Sequence, residues 1–384
     1  MIVAFDTYML AKAHRAVGIY QYAKNLFLEF GKLTAEDDSL TMRYFVAPEY
    51  SENFLLDAHY RNLKPAPTPS LNHDSLWRMG LVNFAAAAVD ADLVFSPAPK
   101  ILPFKVPAVV TIHDVMPSKL PPGMLDRRTV YGLTAQSWIA AKFSTKIITD
   151  SHHSKKDIAE SFSIDPDKIA VVYLGYETSV FNTLPVDPDA QELLHAELGI
   201  TRPYIIHHGL VQSRKNLLRL IRAYKILLHR WKEGFDLVLA GGFGHGAREI
   251  QAEASSLTEG RVIFTGPLSD EKLGMLLKNA SLAVIPSLYE GFCLPIVEAM
   301  ASGIPTIGAN NSCIPEVSGS VLRYFDAYSE DEMASVMHEV LSSTDLQRQL
   351  REAGLQRASE FSWEKCARET LNVLTSVCKQ KDRG

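Results

Sequence analysis

The chain has 384 residues, with 39 Lys and Arg against 44 Asp and Glu and a net charge of −5. That length accommodates two ordinary domains with cores of their own, and the mild acidity excludes a nucleic-acid surface built on excess positive charge. The N-terminus enters a strand without the charged region and apolar core of a signal peptide, and the longest apolar candidate, LVNFAAAAV from Leu81, is too short to span a bilayer. The four cysteines, Cys293, Cys313, Cys366 and Cys378, have no metal-site spacing and read as free thiols in a reducing cytoplasm.

Strand-like runs alternate with helical ones along most of the chain. A first series is predicted at Ile2 to Phe5, Arg43 to Val46, Leu93 to Phe95, Ala108 to Ile112, Lys146 to Thr149 and Ile169 to Tyr173. A second is predicted at Tyr204 to His207, Leu237 to Ala240, Val262 to Thr265, Leu282 to Ile285, Pro305 to Ile307 and Val321 to Tyr324. The alternation argues for parallel sheets covered on both faces by helices, an α/β class. FNTLPVDPDA, from Phe181 to Ala190, has the Pro and Asp content of a linker between two doubly wound domains.

In chain order, Gly18 ends a strand-to-helix junction, where it serves either as a phosphate-admitting glycine or as ordinary turn chemistry. Val110-Thr111-Ile112-His113-Asp114 is a strand ending in two polar groups, the place in a parallel sheet where site residues gather; a histidine taken alone, His113 included, is more often a hydrogen-bonded core residue. Ser151 reads as a helix N-cap, with His152 and His153 beside it and no third metal ligand in sight. Arg214 and Lys215 lead from a strand into a long helix; the guanidinium forks onto phosphate oxygens, and cations at a helix start oppose the dipole, which favours a functional role. LVLAGGFGHGA contains G-x-G-x-x-A, but the next strand, RVIFTG, lacks the acid that grips a cofactor ribose, so a glycine turn on the nucleotide side is the reading. Asp-x-Asp at positions 90, 165 and 187 falls in helix ends and linkers and predicts no essential metal.

The richest stretch is Ser281 to Ser318, which reads as strand, loop, short helix and strand. Pro295 at the first helical position and Gly303 past the end are start and stop signals. The N-H groups of Gly291, Phe292, Cys293 and Leu294, at a helix amino end, suit a phosphate or a sugar hydroxyl, and Glu290 and Glu298 suit neighbouring hydroxyls.

Glu290 and Glu298, seven residues between them, inside EGFCLPIVEAMASGIP, resemble the retaining glycosyltransferases of family 4. These have the GT-B fold, two doubly wound Rossmann-like parallel-sheet domains facing a central crevice. The resemblance covers nearly the whole chain and is more specific in its second half. It implies an acceptor domain over 1–180, a linker over 181–190, a donor domain over 191–362 and a last helix, 363–384, crossing back to the first domain. By position, Glu290 contacts the transferred sugar, Glu298 holds the nucleotide ribose, Leu268 meets the base, and Gly18 lies at a phosphate loop. His113 lies near the donor sugar and Asp114 orients it or meets the acceptor, while Glu316 sits behind the donor pocket. The family's loop usually reads EGFG; here Cys293 adds a side chain that narrows the space. Leu210 stands where an Arg is common, so a phosphate clamp rests on Arg214 and Lys215.

The resemblance implies a metal-independent hexosyltransferase without a cofactor, acting on a nucleotide diphosphate sugar and a hydroxyl of a glycan or lipid-linked glycan. TIHDVMP and SLYEGFCLP look like bacterial mannosyl-type enzymes of lipopolysaccharide, exopolysaccharide or capsule synthesis, which makes GDP-mannose the first expectation for the donor and UDP-glucose the second. The alternative is a silent nucleotide-sugar-binding scaffold subunit. A cytoplasmic location follows, with peripheral contact at the inner membrane face if the acceptor is lipid-linked. Lys119, Arg127, Arg128, Lys142 and Lys146 suit such contact and read equally as solvated surface.

Overall fold

A computed structural model of the chain describes residues 1–10, 18–35, 39–45, 63–66, 86–87, 89–100, 106–121, 123–124, 127–232 and 234–381. Arg15, Ala16 and Val17 of the glycine loop and most of LVNFAAAAV lie outside them. The chain divides into two compact units: Met1–Ser118, Arg127–Gly175 and Ser362–Gly384 form the first, and Lys119–Asp126 and Tyr176–Phe361 the second.

The first unit is built on β1 (Ile2–Phe5), β2 (Thr41–Phe45), β3 (Leu63–Ala66), β4 (Leu93–Ser96), β5 (Ala108–Thr111), β6 (Lys146–Thr149) and β7 (Ile169–Val171), in the order β3-β2-β1-β4-β5-β6-β7. All neighbours are parallel. The central strands β4 and β5 are wholly buried, as continuous apolar runs such as AVVT require once helices cover both faces. The helix Gly18–Ala35 turns Tyr22, Leu26, Phe27 and Phe30 inward at helical spacing. Phe5 of β1 meets Phe27, Phe30 and Phe95 edge-on at 5.5–5.9 Å, contacts worth about 0.5–1.5 kcal/mol each beyond their buried area. The last helix, Trp363–Lys381, belongs to this unit, and Gly175 permits its approach: a Cβ there would stand 2.1 Å from the Trp363 nitrogen.

The second unit carries β8 (Tyr204–His208), β9 (Asp236–Ala240), β10 (Val262–Gly266), β11 (Leu282–Ile285), β12 (Thr306–Ala309) and β13 (Arg323–Phe325), in the order β10-β9-β8-β11-β12-β13, again parallel throughout. The order reverses between β8 and β11. The carboxyl ends of strands flanking such a reversal are where open α/β sheets bind ligands. Residues 181–190, expected as a linker, lie within this unit: Phe181 is buried, and the helix Pro188–Leu198 starts inside the segment with Asp187 as its N-cap.

Candidate active site

At the β8/β11 switch point, Ser213–Lys215 forms a single tight turn and the long helix Leu217–Trp231 begins only after it. Arg214 and Lys215 thus precede the helix, and Lys215 is 5% exposed, which corrects the expectation of cations placed on a helix start. Asn216 makes the bend: it is left-handed at φ 60, and its amide donates to the Pro286 and Ala327 carbonyls at 3.1 and 2.7 Å. From the other side of the switch, the loop after β11 brings in Glu290, 7% exposed. Its Oε2 accepts from Arg214 Nη1 at 2.9 Å and its Oε1 from Lys215 Nζ at 2.5 Å. Burial alone would raise the Glu290 pKa; the charges of Arg214 and Lys215 override it and hold the carboxyl at about 2. His207, buried beneath them, is pushed down to about 3 by desolvation and then by Lys215, and it stays neutral.

Ser312 fixes the Glu290 backbone. Its hydroxyl accepts from the Glu290 N-H at 3.0 Å and donates to the Glu290 carbonyl at 2.6 Å, from a residue itself left-handed at φ 54. Three residues beyond Glu290, Cys293 is the N-cap of the helix Leu294–Ala301 and is left-handed too, at φ 69. Pro295 is the second helical residue rather than the first, and Gly303 ends the helix at φ 68. A non-glycine residue in that backbone conformation costs about 1–2 kcal/mol. The Cys293 side chain is buried, which pushes its thiol up to about 12. Cys293→Gly is therefore expected to be at least as stable as Cys293→Ala in urea unfolding, the reverse of the usual order, because glycine relieves the strain that alanine keeps.

Glu298, on the same short helix, points its Oε2 at His208 Nε2 at 3.0 Å. The loops after β8 and β9 interlock beside it: Gly241, at φ 152, leaves room for the Gly209 carbonyl, which a Cβ would meet at 2.1 Å. G-x-G-x-x-A is thus a loop-packing device. Leu210 and Phe243 are 40% and 51% exposed on these loops, and Pro267 approaches Gly242 from the loop after β10. Leu268 follows it, half-buried, just before the helix Asp270–Asn279. Phe292, expected at the donor, turns its ring inward against Phe361 at 5.6 Å, so only its backbone is available for that role.

In the first unit His113 follows β5. Its Nδ1 lies 2.6 Å from Asp150 Oδ2 and its Nε2 3.2 Å from the Pro97 carbonyl. Both nitrogens face acceptors, so both carry hydrogens and the ring is an imidazolium. Burial opposes the charge, but Asp150, with Asp114 and the Pro97 carbonyl behind it, outweighs burial and the His113 pKa is raised above 6.5. A folded pKa above the unfolded one contributes stability that is complete below about pH 6.5 and is lost as pH rises through the folded value. In an NMR titration of the ring protons, His113 is expected to titrate above 6.5, and in Asp150→Asn at a lower pH than in the wild type, because the largest of the causes that raise it is gone while Asp114 and the Pro97 carbonyl remain. Asp114, expected beside the acceptor, accepts from the Met116 N-H at 2.9 Å and so caps the turn that follows. Gly18 opens the helix Gly18–Ala35, and among the described residues none approaches the place where a Cβ would project.

Sequence reasoning named Glu290, Arg214, Lys215, Glu298 and His113, and passed over Asp150, His208, Asn216 and Ser312. Asp150 stands one residue before the N-cap Ser151, whose hydroxyl accepts from the Ser154 N-H at 3.0 Å as expected, and the cap masks it as a partner for a distant ring. The Asp-x-Asp pairs are structural: Asp165 and Asp187 accept from the N-H groups of Asp167 and Asp189, and Asp92 from that of Ile2.

Two parallel-sheet units with a cation-carboxylate cluster at the switch point of the second define a class, the glycosyltransferases of GT-B fold. The family described as Glycosyltransferase Family 4 matches residues 42–180, and that described as Glycosyl transferases group 1 matches residues 190–357. The chain is 30% identical over 271 residues to the O-antigen chain mannosyltransferase B of Escherichia coli, covering 69% of each. It belongs to glycosyltransferase family 4. It is also 28% identical over 240 residues to the serotype-specific mannosyltransferase WbdA of Escherichia coli, of whose length it spans 29%. Among solved structures it resembles HepE of Anabaena in complex with UDP and glucose, with a TM-score of 0.70 at 18% identity, covering 98% of this chain and 100% of that one. It also resembles WaaG, a glycosyltransferase involved in lipopolysaccharide biosynthesis, with a TM-score of 0.68 at 17% identity, covering 97% and 99%.

Proposed function

We propose that the chain is a retaining hexosyltransferase that moves mannose from GDP-mannose to a hydroxyl of a glycan or lipid-linked glycan, with UDP-glucose as the second candidate donor. The observation that carries this reading is Glu290 held between Arg214 and Lys215 at a switch point. The mannosyltransferase relatives favour the sugar. The first unit takes the acceptor and the second the donor.

In this mechanism the diphosphate departs first and leaves an oxocarbenium-like sugar. Arg214, Lys215 and the amides of residues 291 to 294 stabilise the negative charge as it develops. Glu290 positions the sugar by accepting from its hydroxyls, Glu298 accepts from the ribose, Leu268 lines the base, and Gly18 lies by the phosphates. His113, held by Asp150, contacts the sugar by exchanging its Nε2 bond to the Pro97 carbonyl for one to a sugar hydroxyl, with Asp114 on the acceptor side. The acceptor attacks the face the diphosphate has left, and its proton passes to the leaving phosphate. No metal is required, since two side-chain cations supply the charge.

Turnover of GDP-mannose with a mannoside acceptor, with the product's anomeric configuration read by NMR, tests the reading. The α-anomer is expected, at an undiminished rate in chelator; an inverted product, or activity lost in chelator and restored by Mg2+, contradicts it.

Contact with an anionic membrane belongs to the same reading. No helix of the described residues is long and apolar enough to cross a membrane. The helix Arg127–Phe143 has no acidic residue and exposes Tyr131, Leu133, Trp138 and Phe143; Arg128 and Lys142 share a stripe with Tyr131 and Trp138. Aromatic rings flanked by cations suit a headgroup layer. Flotation with anionic liposomes is expected to carry the protein in low salt and to fail for Trp138→Ser.

A further inference from the structure

His208 closes β8, a central strand, at the edge of the nucleotide side. Its side chain is 2% exposed, and its Nε2 lies 3.0 Å from Oε2 of Glu298, whose side chain is 19% exposed. A carboxylate only accepts, so Nε2 carries the hydrogen. Nδ1 is buried without a partner, and a bare lone pair there costs less than an orphaned N-H. The ring is therefore the neutral Nε2-H tautomer. Among the described residues no other donor reaches the Glu298 carboxylate. Glu298 thus has one oxygen anchored by the imidazole N-H and its second oxygen without a partner among the described residues. A Lys or Arg in this place would neutralise the carboxylate and compete with an incoming hydroxyl; a neutral imidazole orients it and does neither.

We propose that His208 is a positioning residue for ribose recognition: it fixes the Glu298 carboxylate so that both ribose hydroxyls of a nucleoside diphosphate can donate to it. The proposal rests on the reading of Glu298 as the ribose acceptor. His208 acts through Glu298 and does not touch the sugar that is transferred.

The test is ribose discrimination, the ratio of dissociation constants for 2′,3′-dideoxy-GDP and GDP, measured by calorimetry with the uridine pair run alongside. The wild type is expected to prefer the ribonucleotide by about tenfold or more, the effect of hydrogen bonds to a charged group. Glu298→Ala abolishes that preference. His208→Leu brings the ratio to within about threefold of the Glu298→Ala value, for the loss of one fixed oxygen. His208→Gln, whose amide nitrogen falls near the ring Nε2, retains most of it. If His208→Leu does not fold, His208→Asn replaces it, because its shorter amide does not reach Glu298. A wild-type ratio retained in His208→Leu or His208→Asn overturns the proposal and leaves the Glu298 reading intact. A wild type that binds GDP and dideoxy-GDP equally removes the Glu298 reading and the proposal with it.

Discussion

Glu290→Gln is expected to lower sugar transfer by about a thousandfold without weakening the binding of nucleoside diphosphate. The first effect follows from the carboxylate's place. In the proposed mechanism it holds the sugar while charge builds, and losing one preorganised polar contact at such a site costs about 10²–10³ in rate. The sign of the second is set by the unliganded cluster. Glu290 accepts from both Arg214 and Lys215, so a neutral amide leaves two cations with less to hold them, and a diphosphate meets a site that is more positive than before. Stability falls in the same variant. A carboxyl held at about 2 against an ordinary 4.5 contributes on the order of 3 kcal/mol, present above pH 4.5 and lost as pH falls towards 2. The stability gap between wild type and Glu290→Gln, followed by urea unfolding, is expected to narrow across that window. A gap that stays constant across it would show that the ion pairs do not stabilise the fold.

Lys215→Met is expected to weaken nucleoside diphosphate binding by about a hundredfold. A buried cation meeting a doubly charged phosphate group forms charge-assisted hydrogen bonds, each about twice as strong as a neutral one, and methionine fills the same volume without them. Lys215 also depresses His207, so the variant carries an internal reporter. In NMR titrations the His207 pKa is expected to rise from about 3, while desolvation, the larger cause, keeps it below 6.5. An unmoved His207 alongside unweakened binding would place the Lys215 ammonium away from the cluster.

Much of this fold is legible in the sequence because parallel strands buried on both faces announce themselves as short apolar runs. β1, β6 and β11 begin and end at the residues expected. β3 escapes such a reading: LKPA contains Pro65, which argues against a strand in general but not at a sheet edge, where β3 lies among the described strands. At the site, Glu290, Arg214 and Lys215 are legible as residue types in a motif. Their shared burial is not, because it depends on two loops meeting across the β8/β11 reversal. His208, Asp150 and Ser312 each act on a residue between 22 and 90 positions away, and no local pattern marks such a partner. The substitution of Cys293 for the family's glycine is visible in the sequence, but the strain it carries emerges only from the backbone angle.

The measurement to make first is calorimetric titration of the whole chain with GDP, UDP, ADP and dTDP, repeated on Glu298→Ala and Lys215→Met. One diphosphate, GDP if the donor is GDP-mannose, is expected to bind best and to be weakened by both substitutions. If none of the four binds, or if binding is indifferent to both changes, the switch-point cluster is not a donor site and the chain is not acting as the transferase proposed.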